Sequence, residues 1–283
     1  MRDDPIESGL IRETRAEGEP EVQTRLLAVA VGNTRTRWAA FRGRELDHAF
    51  VESNAAAPAA IVSMLKTEIK DLQIECIAIA SVQQEATEVL LGEIGSLGLQ
   101  TLVIGRDCMP PLEHTLEDAS TLGIDRALNA YAAWRVIGSA CVVIDAGTAI
   151  TVDFVDGTGV FHGGAIAPGV NMMLESLHTQ TEALPKLDFA MPDESHGPFG
   201  RETAHAMQLG VVASARGLVR ELVEKYAEAY KAYPRVIATG GDAHVLFDDQ
   251  TLIERIMPDL QLLGIERTLE YALGSTGDEP PKT

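Results

Sequence analysis

Cysteine is scarce in this chain, and the little there is does not cluster. Cys76, Cys108 and Cys141 are three in number and widely spaced, with no Cys-x-x-Cys pair. That excludes a disulfide scaffold and a cysteine-based zinc site. Cys76 and Cys141 fall in apolar, strand-like runs and are expected to be small core hydrophobes. Long hydrophobic runs are missing too. The longest, starting at Ala140, is broken by Asp145 and Gly147, well short of the ~20 residues needed to cross a bilayer. The first residues, MRDDPIESGLIRETRAEGEPEVQ, lack the apolar segment of a secretory leader, so a cytoplasmic location is expected. Positive charge is in the minority, with 23 Lys and Arg against 42 Asp and Glu, a net charge of −19. Such a field repels polyanions, so neither nucleic acid nor an anionic membrane is expected as a partner. A small phosphate ligand is not excluded, because a local nest of backbone N–H groups can hold one.

What is present is the pattern of a globular α/β protein. Residues 1–22 are polar and aperiodic and read as a disordered extension. From Thr24 the run RLLAVAVGNTRTRWAAFRGRELDHAFVES predicts strand, tight turn at Gly32-Asn33-Thr34, strand, turn at Arg42-Gly43, strand. A helix over Ala57–Ile69, a buried strand over Ile74–Ser81, a helix over Gln84–Leu97 and a short strand over Gln100–Ile104 follow. The polar segment Asp107–Ser120, with Pro110-Pro111, reads as a crossing between lobes, and a helix is predicted from Gly123 to Val136. The opening pattern then recurs in ACVVIDAGTAITVDFVDGTGVFHGGAIA, where Gly147 stands 115 residues after Gly32. Helices are predicted over Val170–Thr179 and Arg201–Tyr230, with a strand over Val236–Ala238. A further helix, a last strand near Leu260–Leu262 and a final helix over Ile265–Ala272 close the pattern. The expected organisation is a lobe over 23–118, a second lobe over 119–275 and a tail over 276–283.

Two of these turns carry chemistry. A Gly-rich turn between strands exposes successive N–H groups, which with a Thr or Asn side chain suit phosphate oxygens. Two such turns facing across a cleft would grip a nucleotide's phosphates, and a carboxylate two residues before each Gly would hold the shielding metal. Asp145 stands two before Gly147, but the matching position before Gly32 is Ala30. Gly123-Ile124-Asp125-Arg126 opens a helix. There Asp125 reads either as a partner of the helix dipole or as a general base beside a cationic clamp at Arg126, and the four residues alone leave both open. Thr239-Gly240-Gly241 ends a strand where a backbone can approach a ligand closely. His162 and His205 have no evident partners, and Trp38 and Trp134 read as core or interface aromatics.

Taken in order, these motifs resemble the type III pantothenate kinases, of the acetate-kinase/sugar-kinase/Hsp70/actin superfamily, from about Leu26 to Leu273. The family's Asp-Ile-Gly-Asn-Thr is matched by Ala30-Val31-Gly32-Asn33-Thr34, its Gly-Ala-Asp-Arg by Gly123-Ile124-Asp125-Arg126, and its Asp-x-Gly-Thr-Ala by Asp145-Ala146-Gly147-Thr148-Ala149. Gly163-Gly164-Ala165-Ile166-Ala167-Pro168-Gly169 is similar to Gly-Gly-x-Ile-x-Pro-Gly. Thr179–Pro185, Gly200–Gly210 and Ala238-Thr239-Gly240-Gly241 match three further motifs. The resemblance implies two ribonuclease H-like (actin-like ATPase) lobes, each a mixed sheet with flanking helices, around a nucleotide cleft. It implies ATP-dependent phosphorylation of pantothenate, the first step of coenzyme A synthesis, with Mg²⁺ and a monovalent cation (K⁺ or NH₄⁺), in a homodimer. By position, Asp125 is implied as the general base, and Gly123, Asp125, Arg126 and Thr203 as the pantothenate site, with Thr203 reaching it from the partner subunit. Gly32, Asn33, Thr34, Gly147, Thr148, Gly240 and Gly241 are implied as the ATP site and Asp145 as a ligand of the monovalent cation or Mg-phosphate. Ala30 in place of the family's acid, the lack of the family's common Tyr near Leu116, and Arg201-Glu202-Thr203 in place of an Asn-Thr pair depart from the pattern. Ala30 keeps an alternative open, a catalytically impaired member acting as a binding or regulatory protein. A kinase for another carboxylate-bearing alcohol is a third reading.

Overall fold

A computed structural model describes residues 25–54 and 58–274. The expected extension 1–22 and tail 276–283 lie outside the described residues. The chain forms β1 (Arg25–Val31), β2 (Arg35–Arg42), β3 (Glu45–Ser53), α1 (Pro58–Asp71), β4 (Cys76–Ser81), α2 (Gln84–Ile94) and β5 (Gln100–Ile104). After an extended crossing come α3 (Ile124–Ile137), β6 (Cys141–Ala146), β7 (Ala149–Val155), β8 (Phe161–Pro168), α4 (Val170–Thr179) and α5 (Thr203–Tyr230). The last elements are β9 (Arg235–Thr239), α6 (Ala243–Phe247), β10 (Arg255–Ile256) and α7 (Leu260–Ala272).

The two halves share one topology. The first sheet runs β3-β2-β1-β4-β5 and the second β8-β7-β6-β9-β10. In each, an antiparallel meander is followed by strands joined in parallel through helices. The register slips between Ala40 and Phe41 in β2 and between Phe154 and Val155 in β7, at matching places of the two meanders. A bulge shared at this level of detail supports duplication beyond the common Gly-x-Thr turn.

Alternation in β1 assigns its two faces. Leu27, Val29 and Val31 pack with Val62, Leu65, Ile69, Leu90 and Ile94 of α1 and α2. Leu26, Ala28 and Ala30 pack with Leu128 of α3 and Leu262, Ile265 and Leu269 of α7. The second sheet meets α3 on one face through Ala130, Ala133 and Trp134, and α4, α5 and α6 on the other. Helices α3 and α7 therefore form a layer between the sheets. The helix α5 buries Met207, Val211, Ala215, Val219, Val223 and Ala227, one residue in four along a single stripe.

The sequence misplaces one element. Leu260–Leu262 is not a strand but the start of α7, and the last strand is Arg255–Ile256. Leu262, Ile265 and Leu269 repeat at helical spacing and cover the first sheet, a period hidden by the short apolar run. Several bounds shift by one to three residues as well. α2 ends at Ile94 and passes into a 3₁₀ turn over Gly95–Leu97, and α5 starts at Thr203, two residues after the expected Arg201. Cys76, Cys141, Trp38 and Trp134 are all buried as expected. No helix of the described residues is long and apolar enough to cross a membrane.

Candidate active site

The turns after β1 and β6 meet across the cleft. Thr34 Oγ1 lies 2.9 Å from Thr148 Oγ1, one hydroxyl from each lobe. Each turn is closed by its own glycine: Gly32 donates to the Arg35 carbonyl and Gly147 to the Ala149 carbonyl, both at 3.0 Å. The first turn is braced from behind. Gln83 Nε2 donates to the carbonyls of Gly32 (3.1 Å) and Asn33 (2.8 Å), and Asn54 Nδ2 donates to the Gly32 carbonyl at 2.8 Å. With their carbonyls tied back, Asn33 and Thr34 stay exposed toward the cleft. Gln83 and Asn54 were not singled out in the sequence, since nothing local marks their partners.

A third turn completes the arrangement. β9 pairs with β6 so that Thr239 stands beside Asp145. Gly240 has φ of +96°, and a Cβ there would stand 2.3 Å from the Ala146 carbonyl oxygen and 2.5 Å from Asp145 Oδ1. Only glycine allows this backbone to close over the carboxylate.

Asp145 is held from the central layer, where Asn129 Nδ2 of α3 donates to its Oδ2 at 2.9 Å. Its pKa is pushed up to about 6, first by burial and then by the nearby Asp125 carboxylate, with Asn129 and Arg37 opposing. Asp125 sits in the first turn of α3 and accepts the Arg126 N–H at 2.9 Å through Oδ1, so its carboxylate serves the helix start while remaining partly open. Arg126, one residue on, is bound by Asp153 of β7, with Nε 3.1 and 3.2 Å from the two carboxylate oxygens and Nη2 bonded to Oδ1. Asp153 is 2% exposed, and burial holds its pKa above the usual carboxylate range despite the guanidinium. A Cβ on Gly164 would stand 2.4 Å from Asp153 Oδ1, so the second glycine of the Gly-Gly motif makes room for this acid. Asp153 is the residue that sequence reasoning missed most clearly, because its partner is 27 positions away.

The structure thus brings Asp125, Arg126, Asp145 and the three glycine turns into one region. Thr203 is exposed at the start of α5, and no side-chain hydrogen bond ties it to the others among the described residues. Ala30, 2% exposed, faces the layer of α3 and α7 rather than open cleft. Its cross-strand neighbour is Arg37, whose Nη2 lies 2.6 Å from Asp259 Oδ1 and whose Nη1 donates to the Pro258 carbonyl. No group of three or more metal-ligating side chains occurs among the described residues. A divalent cation commonly takes one or two carboxylates plus substrate phosphates, and Asp145, crowded by like charges, fits that lesser role.

Compared with known proteins, residues 26–225 match the family model described as type III pantothenate kinase. A type III pantothenate kinase of Ruegeria pomeroyi is 33% identical over 248 residues, covering 85% of this chain and 95% of that protein. Proteins of the same description from Rhodopirellula baltica and Roseobacter denitrificans are 40% and 36% identical, over 61% and 60% of this chain. Those two matches span 63% and 65% of the relatives' lengths, just under two thirds. Among solved structures, component A of the (R)-2-hydroxyglutaryl-CoA dehydratase of Acidaminococcus fermentans superposes with a TM-score of 0.53. It is 12% identical, with 89% of this chain and 98% of that chain covered. The acetate kinase of Porphyromonas gingivalis gives 0.52 at 8% identity, covering 88% and 100%. These likenesses concern the fold, which is the two-lobed fold of actin-like ATPases and sugar kinases.

Proposed function

This chain belongs to the type III pantothenate kinase family, and from that membership we propose that it transfers the γ-phosphoryl group of ATP to pantothenate. The products are 4'-phosphopantothenate and ADP, the entry to coenzyme A synthesis. The observation that carries the reading is the meeting of Thr34 and Thr148 at 2.9 Å beside Asp125 and Asp145. Turns that close on each other across two lobes suit a polyphosphate lying between them.

In this reading Asp125 accepts the proton of the attacking hydroxyl, and the oxygen then bonds the γ-phosphorus as the bond to the β-phosphate oxygen breaks. The N–H groups and hydroxyls of residues 32–34 and 147–148 bind and orient the phosphates, and Gly240-Gly241 adjoin the adenosine. Arg126 holds the substrate carboxylate. Asp153 already takes the Nε–H and one Nη2–H, so the two Nη1 N–H groups and the second Nη2–H are the donors left for the substrate, on a guanidinium fixed in advance. Mg²⁺ bound with the phosphates would neutralise developing charge, and a monovalent cation would do so beside Asp145. A homodimer in the cytoplasm, with Thr203 lending its hydroxyl to the neighbouring subunit's substrate, completes the proposal.

The alternative of an impaired regulatory member rests on Ala30 alone, and none of the relatives supports it. Coupled ADP release with pantothenate tests the reading. Turnover that needs both ATP and pantothenate is expected, while no turnover with pantothenate alongside turnover with another hydroxy acid would replace the substrate.

A further inference from the structure

The cleft is acidic. Asp125, Asp145, Asp153 and Asp242 lie in or beside it, yet a nucleoside triphosphate that enters brings several more negative charges. The arginines nearby are mostly committed: Arg126 to Asp153, and Arg37 to Asp259 and the Pro258 carbonyl. Arg35 is not. It is the first residue of β2, directly after Thr34, and is exposed. Its side chain donates no hydrogen bond to any described residue. Its Nη1 stands 2.5 Å from where a Cβ on Gly241 would be, so the guanidinium reaches across the cleft and rests against the turn of the opposite lobe. Asp242 feels its charge only through space, as a partial offset to the rise that burial imposes on that carboxyl.

We propose that Arg35 is a nucleotide-binding residue, whose guanidinium donates to the phosphate chain as it passes from the Gly240-Gly241 turn toward Thr34 and Thr148. The proposal rests on the nucleotide reading of the cleft. The backbone of Arg35 is fixed, since its carbonyl accepts from Gly32 at 3.0 Å and its neighbour Thr34 bonds Thr148. The long side chain can therefore move from glycine to phosphate without disturbing the turn. A planar guanidinium matches phosphate oxygens, and an uncommitted cation offsets the repulsion that the four acids present to a polyanion.

The test is calorimetric binding of adenosine and of a non-hydrolysable ATP analogue, the β,γ-imido compound, to wild type, Arg35→Met and Arg35→Lys, with and without Mg²⁺. The expected result is at least a tenfold loss of affinity for the analogue in Arg35→Met, partial recovery in Arg35→Lys, and adenosine affinity within twofold of wild type. A metal-free binding arm that weakens in the same way supports a direct contact with phosphate. Analogue affinity within twofold of wild type in Arg35→Met overturns the proposal and leaves the nucleotide reading standing. So does an equal loss for adenosine and analogue, which marks a structural role. A wild type that binds neither ligand overturns the nucleotide reading and the proposal together.

Discussion

Thr34 and Thr148 lie 114 residues apart in sequence, yet their hydroxyl oxygens are 2.9 Å apart in the structure. That contact is where the glycine turns after β1 and β6 touch across the two lobes. The bond is exposed and neutral, so it contributes little to stability, about 1 kcal/mol or less.

Thr148→Val is therefore expected to leave urea unfolding nearly unchanged while lowering kcat/KM for ATP by about tenfold or more. Equal loss of stability and rate would instead mean that the hydroxyl pair holds the lobes together. Equilibrium unfolding and steady-state ADP release on the same preparation separate the two.

Asp125→Asn keeps an acceptor for the Arg126 N–H but cannot take a proton. A drop in kcat of about 10²–10⁴-fold is expected, with the KM for pantothenate changed far less. A variant that turns over at the wild-type rate would remove Asp125 from the chemistry and leave it a helix-start residue.

Asp153→Ala strands the Arg126 guanidinium in a partly buried setting, 15% exposed in its side chain. Breaking a buried pair on one side costs about 3–5 kcal/mol, so a large fall in the urea midpoint is expected. The KM for pantothenate should rise as well, because Arg126 loses the carboxylate that aims it. A midpoint unchanged from wild type would show that the pair is dispensable.

Ala30→Asp is expected to lower stability by about 2 kcal/mol or more and to bring no gain in kcat. Asp145 is tolerated in the second lobe because Asn129 donates to it, whereas Ala30 packs with Leu128, Leu262 and Ile265. A rate gain of tenfold in Ala30→Asp, measured by ADP release, would restore the idea that the missing acid limits turnover.

Glu266 gives a pH signature. It is 4% exposed on α7 with Arg267 Nε 3.5 Å from its Oε2, and burial pushes its pKa up to about 7 from 4.5. Above 4.5 the unfolded chain releases this proton while the folded chain keeps it. Stability is thus fully present below about pH 4.5 and falls as pH rises toward about 7, by an amount on the order of 1–3 kcal/mol. Glu266→Gln should flatten that part of the stability profile and raise the melting temperature near pH 8. Parallel profiles for the two proteins would refute it.

Local pattern carried a good part of this. The alternation of β1, the unbroken apolar run of β4 and the glycine turns at 32 and 147 declare strands and their reversals, because each depends on residues within a few positions. The duplicated meander followed, and so did the candidate phosphate turns. Leu260–Leu262 was misread because three residues cannot separate a period of 2 from one of 3.6.

The sequence by itself determined which residue types are present at the turns and which faces of each strand are apolar. It also placed Asp125 and Arg126 at a helix start and Ala30 at the position of the first turn that matches Asp145 in the second. Only the tertiary structure decided what those groups touch: Asp153 under Arg126, Asn129 under Asp145, Arg35 against Gly241 and Thr34 against Thr148. Each of these pairs joins different elements, most of them on different sheets or layers. Their distances are set by how α3 and α7 pack between the two sheets, a long-range outcome of core burial that no short window of sequence contains.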